Sequence, residues 1–321
     1  MSFSTTCFTE SRCRESRSSI SRSSRQTSTS ATSSIHRHPV VQPGPLSGGD
    51  VAVCPRQNFP ALEYLVMDGG SSDNSREILQ RHGHRLADWC SEPDAGQYDA
   101  INKGFARSTG EVMGWLNSDD KHTPWTLSVV AEIFETYPEI EWLTTLYPLR
   151  WDANGRAVRC SQRTGFSRAA YLSGENLPTG QWYAPGWLQQ ESTFWRRSLW
   201  ERAGGKIDTG WKIAADFELW LRFFQHADLY AVDTPLAVFA STAIKRPTSS
   251  KTNISARRWI SFARQGGSRP GYVKSSLRSA AARLCPDVLR PLAGGLGLLH
   301  PCQLCLRRRD ETGWRLVSSL H

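Results

Sequence analysis

Two short apolar runs limit what this chain can fold into. LEYLVM (residues 62–67) and VMGWL (residues 112–116) are apolar almost throughout, as strands buried on both faces are. Each stops abruptly in turn residues and carboxylates: DGG after the first, NSDD after the second. Helix-period segments follow. Asn74 precedes Glu77 by three, the spacing of a capping box, and Ile78 and Leu79 supply a buried stripe. A short strand is predicted over residues 86–90, then the loop SEPDAGQYDA, then a helix with Ile101 and Phe105 one turn apart. Thr123-Pro124 opens the next helix with proline at its first position, and residues 142–146 read as another strand. The last helix lies in AADFELWLRFF, with Phe217, Leu221 and Phe224 on one face and Asp216 at its beginning. This β-α-β-α order predicts an α/β, mostly parallel sheet with helices on both faces. Such sheets bind ligands at the carboxyl ends of their strands, where Asp68 and NSDD both fall.

The charge is divided unevenly. Residues 1–57 carry 7 Lys and Arg against 3 Asp and Glu, and residues 241–321 carry 15 against 3, whereas residues 58–240 carry 17 against 24. The net charge of +9 therefore resides in the flanks. A nucleic-acid-binding protein would need its basic face on the folded part, so no nucleic-acid partner is expected. Eleven of the thirteen Trp also lie between Trp89 and Trp220, which marks the middle as the segment able to pack a core. The first forty residues hold thirteen Ser interleaved with Arg, a composition expected to stay disordered. It is that of an organelle transit peptide, without the apolar segment of a secretory signal. No apolar run approaches the ~20 residues that cross a bilayer, so no transmembrane segment is expected and the chain reads as cytoplasmic. Eight scattered Cys favour reduced thiols. The lone CxxC of Cys302 and Cys305 has no second pair to complete a zinc site.

Each candidate site residue admits two readings. NSDD (Asn117 to Asp120) suits a hard divalent cation through its carboxylates, and it is also ordinary turn chemistry. Asp68 before two glycines has the same double reading. Asp216 is either a general base or a favourable charge at a helix N-terminus. Asp94, Asp99, Asn102 and Lys103 suit a nucleotide diphosphate and its sugar, or form a solvated loop and helix start. Trp182, Tyr183 and Trp187 lie among Gly and Pro, either as core or as a platform on which a sugar stacks.

Taken in order, VMDGGSSDNS, SEPDAGQYDAINKGFARSTGEVMGWLNSDD, QQESTFWRRSLWERAGG and AADFELWLRF resemble the family 2 glycosyltransferases over residues 57–239. That resemblance implies the GT-A fold and inverting transfer from a nucleotide-diphosphate sugar, assisted by a divalent cation, Mg or Mn. The acceptor it implies is a saccharide or lipid-linked molecule, as in cell-envelope polysaccharide synthesis, with the enzyme cytoplasmic or peripheral at the inner face of the membrane. By the same resemblance Asp68 meets the nucleobase, Asp119 binds the metal with Asp120 beside it, and Asp216 takes the acceptor proton. Gln190, Glu191 and Trp187 fall on the acceptor side. Asn117 departs from the family's DxD pattern, standing where the first Asp usually meets the ribose. The processive QxxRW signature is absent, which implies transfer of single sugars. A sugar nucleotidyltransferase would need a glycine-rich phosphate loop, and none is present.

The resemblance also exposes a gap. Family members open with a strand and turn of the type IVTPSFNQ, and the residues before Gln57 hold prolines and glycines instead. DNA able to encode residues 35–57 reads FIVTPSFNQ one base on, and DNA encoding RVHGDQKT yields ASTAIKRP, residues 240–247, when its first base is dropped. Both flanks are therefore expected to be out of frame, an idea that coding DNA without such a shifted frame would sink. The expected organisation is a disordered or frameshifted flank (1–57), a glycosyltransferase domain lacking its first strand (58–240) and a basic, poorly structured tail (241–321). An inactive remnant retaining at most nucleotide binding is the alternative to an active enzyme.

Overall fold

The computed structural model describes residues 38–43, 59, 62–152, 156–172, 176, 188–211, 214–240, 281, 284–307 and 313–320. Trp182, Tyr183, Trp187 and most of both flanks lie outside these residues.

Among the described residues the larger of two sheets has nine strands, and the predicted parallel unit forms one end of it. β2 (Leu62–Asp68) is buried along almost its whole length and runs parallel to β3 (Asp88–Ser91). Between them lies α1 (Ser75–His82), whose Ile78 and Leu79 are buried as their spacing predicts. Its cap differs from expectation. Asn74 makes no side-chain cap bond, and Asp73 Oδ1 instead accepts the Ser75 N–H at 2.9 Å. α2 (Gln97–Arg107) buries Ile101 and Phe105 and leads into β4 (Val112–Trp115). The helix expected at Pro124 begins two residues later, as α3 (Thr126–Thr136), followed by β6 (Trp142–Thr145).

The first strand is present, which corrects the expectation that it is missing. β1 (His38–Pro43) runs parallel between β2 and β4, pairing six residues with β2 and only Val40 and Val41 with β4. Together the two ladders complete the sheet.

The expectation of a poorly structured tail is likewise corrected over its described part. β12 (Pro301–Arg307) lies parallel to β10 (Tyr230–Val232), and β13 (Trp314–Leu320) pairs antiparallel with β12 at the sheet's end. Cys302 and Cys305 are buried in β12, their thiols pushed up to about 12, by burial in both cases. Three positions apart on a strand, they face opposite sides. Cys302 lies beside Gly165 while Cys305 joins the cluster of Val112, Ile133 and Trp314, so they make no zinc pair.

Between β4 and β6, antiparallel to both, runs β9 (Phe194–Arg196). It leads directly into α5 (Arg197–Arg202). α6 (Ala215–His226) packs beneath, and Phe217, Leu221 and Phe224 are all buried. The tryptophans concentrate here: Trp142, Trp195 and Trp220 are fully enclosed, and Trp115 stacks on Trp220 with centroids 5.9 Å apart and planes within 13°. This aromatic layer packs the carboxyl end of β4 against the middle of α6.

The smaller sheet has four strands in the order β5 (Lys121–His122), β11 (Ala237–Ala240), β7 (Leu149–Trp151) and β8 (Ala157–Cys160). β5 follows NSDD directly, which places this sheet beside the carboxyl end of β4.

Candidate active site

The site is built at the carboxyl ends of β2 and β4. Asp68 ends β2 with its side chain turned inward: Oδ1 accepts from Ser71 Oγ at 2.5 Å and Oδ2 from Ser91 Oγ at 2.7 Å. Gly69 leaves room for the next loop, because a Cβ there would stand 2.5 Å from Asp94 Oδ2. Asp94 Oδ1 accepts the Gly96 N–H at 2.7 Å, and Asp99 Oδ2 accepts the Ala95 N–H at 3.1 Å. The Ala95 N–H first, and Lys103 after it, hold the Asp99 carboxyl below its ordinary range. Lys103, one turn along α2, reaches Asp99 at 3.3 Å and Glu92 at 3.8 Å.

At the end of β4, Asn117 is the hub. Its Oδ1 accepts from Gln97 Nε2 at 2.6 Å, and its Nδ2 donates to Asp120 Oδ2 at 3.0 Å and Gln190 Oε1 at 3.2 Å. Gln190 in turn donates to the Trp115 carbonyl. The turn after β4, the start of α2 and the QES turn (Gln190–Ser192) are thereby fastened together.

Four carboxyl groups meet around this hub. Asp119 is half-buried, Asp120 and Glu191 are enclosed, and Asp216 is half-buried in the first turn of α6. Burial, then the charge of Asp119, raises the Asp120 carboxyl to about 8. Glu191 is pushed well above the ordinary range by burial first and then by Asp120, with Asp216 and Asp119 adding to it. Its Oε1 has no hydrogen-bond partner among the described residues. Asp216 is brought to this cluster by a left-handed Ala214 (φ 66°) and by the Ala215 N–H, which donates to the Tyr98 hydroxyl at 3.3 Å. His122 closes the floor: its Nε2 lies 3.2 Å from the Glu191 carbonyl, and burial lowers its pKa to about 4, so it is neutral.

Among the described residues, no three His, Cys, Asp or Glu side chains are arranged to cage a metal ion. The donor set nevertheless fits a hard divalent cation held by one carboxylate and completed by substrate phosphate and water, as Mg²⁺ commonly is. Behind Asp119 the carboxyls of Asp120 and Glu191 are both raised, by burial first and by neighbouring carboxylates after it.

Comparison with known proteins gives the family that part of the chain resembles. The family model described as Glycosyl transferase family 2 matches residues 53–169. Over that segment the chain is similar to the family 2 glycosyltransferases. An uncharacterized glycosyltransferase of Mycobacterium tuberculosis is 28% identical over 183 residues, 57% of this chain and 65% of the relative, so the chain spans just under two thirds of that relative's length. Among solved structures, Staphylococcus aureus TarS in complex with UDP-GlcNAc aligns with a TM-score of 0.52 at 12% identity, over 79% of this chain and 75% of the other. The mannosyltransferase of Pyrobaculum calidifontis in complex with GDP-Man and Mn²⁺ aligns with a TM-score of 0.50 at 18% identity, over 83% and 81%. At these identities the structures show the fold alone, the GT-A arrangement.

Most residues expected at the site come together, and two of them are hydrogen-bonded within the protein. Asp120, expected beside Asp119 as a metal ligand, points inward: Oδ1 accepts the Ala240 N–H at 2.9 Å and Oδ2 accepts from Asn117. It braces β11 against the turn. Asn102, expected at the nucleotide, pairs both amide atoms with the backbone of Ile207, each at 2.8 Å, and tethers the segment preceding α6. Gln97, Tyr98 and His122 were not singled out by sequence. Gln97 and Tyr98 stand inside the quoted loop without a charge to mark them, and His122 is isolated in sequence from every partner.

Proposed function

We propose that the chain transfers a single sugar from a nucleotide-diphosphate sugar to an acceptor hydroxyl with inversion. The observation that carries this reading is the meeting of Asp119, Glu191 and Asp216 at the carboxyl end of β4, with Asn117 between them and α2. Asp94, Asp99 and Lys103 line the approach from β2 and receive the donor, and Asn117 offers its amide to the ribose. Asp68 supports the loop at the nucleobase. A divalent cation, Mg or Mn, would be held by Asp119 and would stabilise negative charge on the leaving diphosphate.

Asp216 then accepts the proton of the attacking hydroxyl as its oxygen bonds to the anomeric carbon and the bond to the diphosphate breaks. Gln190 and Glu191 stand on the acceptor side, together with Trp187, which lies outside the described residues. The acceptor class is a saccharide or lipid-linked saccharide of the cell envelope, reached from the cytoplasm or from the inner membrane face. No helix among the described residues is long and apolar enough to cross a membrane.

An inactive remnant is the second reading, favoured by one observation: Asp68 is only 2% exposed and committed to Ser71 and Ser91. Full-length chain with Mn²⁺ and a panel of nucleotide sugars separates the two. Release of nucleoside diphosphate supports the transferase, and nucleotide binding without turnover on any acceptor, or no binding in calorimetry, supports the remnant.

A further inference from the structure

The small sheet holds a placement of charge that calls for a ligand. In the antiparallel pair of β7 and β8, Arg150 stands directly opposite Arg159. Directly opposed side chains share one face at close spacing, and like charges there are destabilising. Arg163 returns to the same neighbourhood, because its N–H donates to the Leu146 carbonyl at 2.8 Å, just before β7. Its Nε is buried with no hydrogen-bond partner among the described residues. Neither Arg159 nor Arg163 makes an ion pair among those residues. Arg150 and Arg163 are both held below the usual guanidinium range, by burial first and then by neighbouring arginines.

This cluster adjoins the carboxylates. Gln189 Nε2 donates to the Leu149 carbonyl at 3.2 Å, tying the turn that carries Gln190 and Glu191 to the strand that carries Arg150. Glu191 lies within electrostatic reach of Arg150 on one side and of Asp119 and Asp216 on the other. Guanidinium groups bind phosphate through paired N–H donors, so a phosphate here would relieve the repulsion and supply the missing partner.

We propose that Arg150, Arg159 and Arg163 form an oxyanion pocket that holds a phosphate group of the acceptor, making the acceptor a phosphorylated or phosphodiester-linked saccharide. The acceptor assignment rests on the transferase reading above; the pocket does not. The donor's diphosphate offers the same chemistry, and the experiment distinguishes the two sources.

Inorganic phosphate is titrated into the full-length chain by calorimetry, beside UDP and GDP with Mn²⁺, for the wild type, Arg150→Gln and Arg159→Gln. Phosphate is expected to bind the wild type and to lose at least about tenfold in affinity in either variant, with nucleotide affinity changed less than about twofold. Melting supplies a second readout independent of binding heat: Arg159→Gln is expected to melt higher than the wild type without phosphate and to gain less from its addition. Phosphate that fails to bind the wild type, or binds the variants equally, overturns the pocket. Parallel loss of nucleotide affinity assigns the cluster to the donor and overturns the acceptor role. A chain that binds phosphate through these arginines but no nucleotide supports the pocket and overturns the transferase reading.

Discussion

Asp216 and His122 show how one side chain's surroundings set its chemistry. Asp216 lies half-exposed in the first turn of α6, beside a buried Glu191 whose carboxyl is raised by burial first, with Asp216 adding to the shift. If Asp216 is the group that takes the acceptor proton, Asp216→Asn should lower turnover by about 10²- to 10⁴-fold while nucleotide affinity in calorimetry stays unchanged. His122 makes a prediction about stability. Its folded pKa of about 4 lies below the ordinary histidine value of 6.5, because burial disfavours the charged ring. The unfolded chain therefore binds the proton first, so stability is full above about pH 6.5 and is lost as pH falls toward 4. Between pH 7 and pH 5 the loss should be about 2 kcal/mol. Urea midpoints at the two pH values measure it, and His122→Gln should flatten the difference.

Among the elements, β2 depends on a single buried carboxylate. Glu63 accepts from Thr109 N at 2.7 Å, Thr109 Oγ1 at 3.0 Å and Gly110 N at 2.9 Å, fastening the strand to the turn that launches β4. Removing those acceptors leaves buried N–H groups unpaired, so Glu63→Ala should cost about 3 kcal/mol in chemical denaturation. Glu63→Gln, keeping one acceptor oxygen, should cost less than Glu63→Ala. The sequence of β2 announces a strand but not this bond. An isolated Glu in an apolar run reads as an outward-facing residue, and its partners lie 46 and 47 positions away. Helix ends were legible only approximately for a similar reason: Asp73 and Asn74 are adjacent and chemically equivalent as caps, and local geometry selected Asp73.

Across the whole molecule, the hairpin of β12 and β13 forms the end of the large sheet and shields β10. Trp314 is buried beside Phe134 and Ile133, and the Tyr137 hydroxyl donates to its carbonyl at 2.6 Å. Trp314→Ala should cost about 3–5 kcal/mol in urea unfolding; an unchanged midpoint would mean the tail contributes nothing to the fold. By itself the sequence determined the alternating order of strands and helices, the aromatic core and the position of Asp68 and NSDD at strand ends. Those follow from periodicity and turn chemistry, which act over a few residues. Tertiary structure alone decided that HPVVQP completes the sheet, that Asp120 turns inward to Ala240, that Asn102 clasps Ile207, and that Asn117 meets Gln190. The last three contacts span 120, 105 and 73 positions. No local pattern encodes which way a polar side chain turns when its partner is that distant, because the choice is made by packing after the chain has folded.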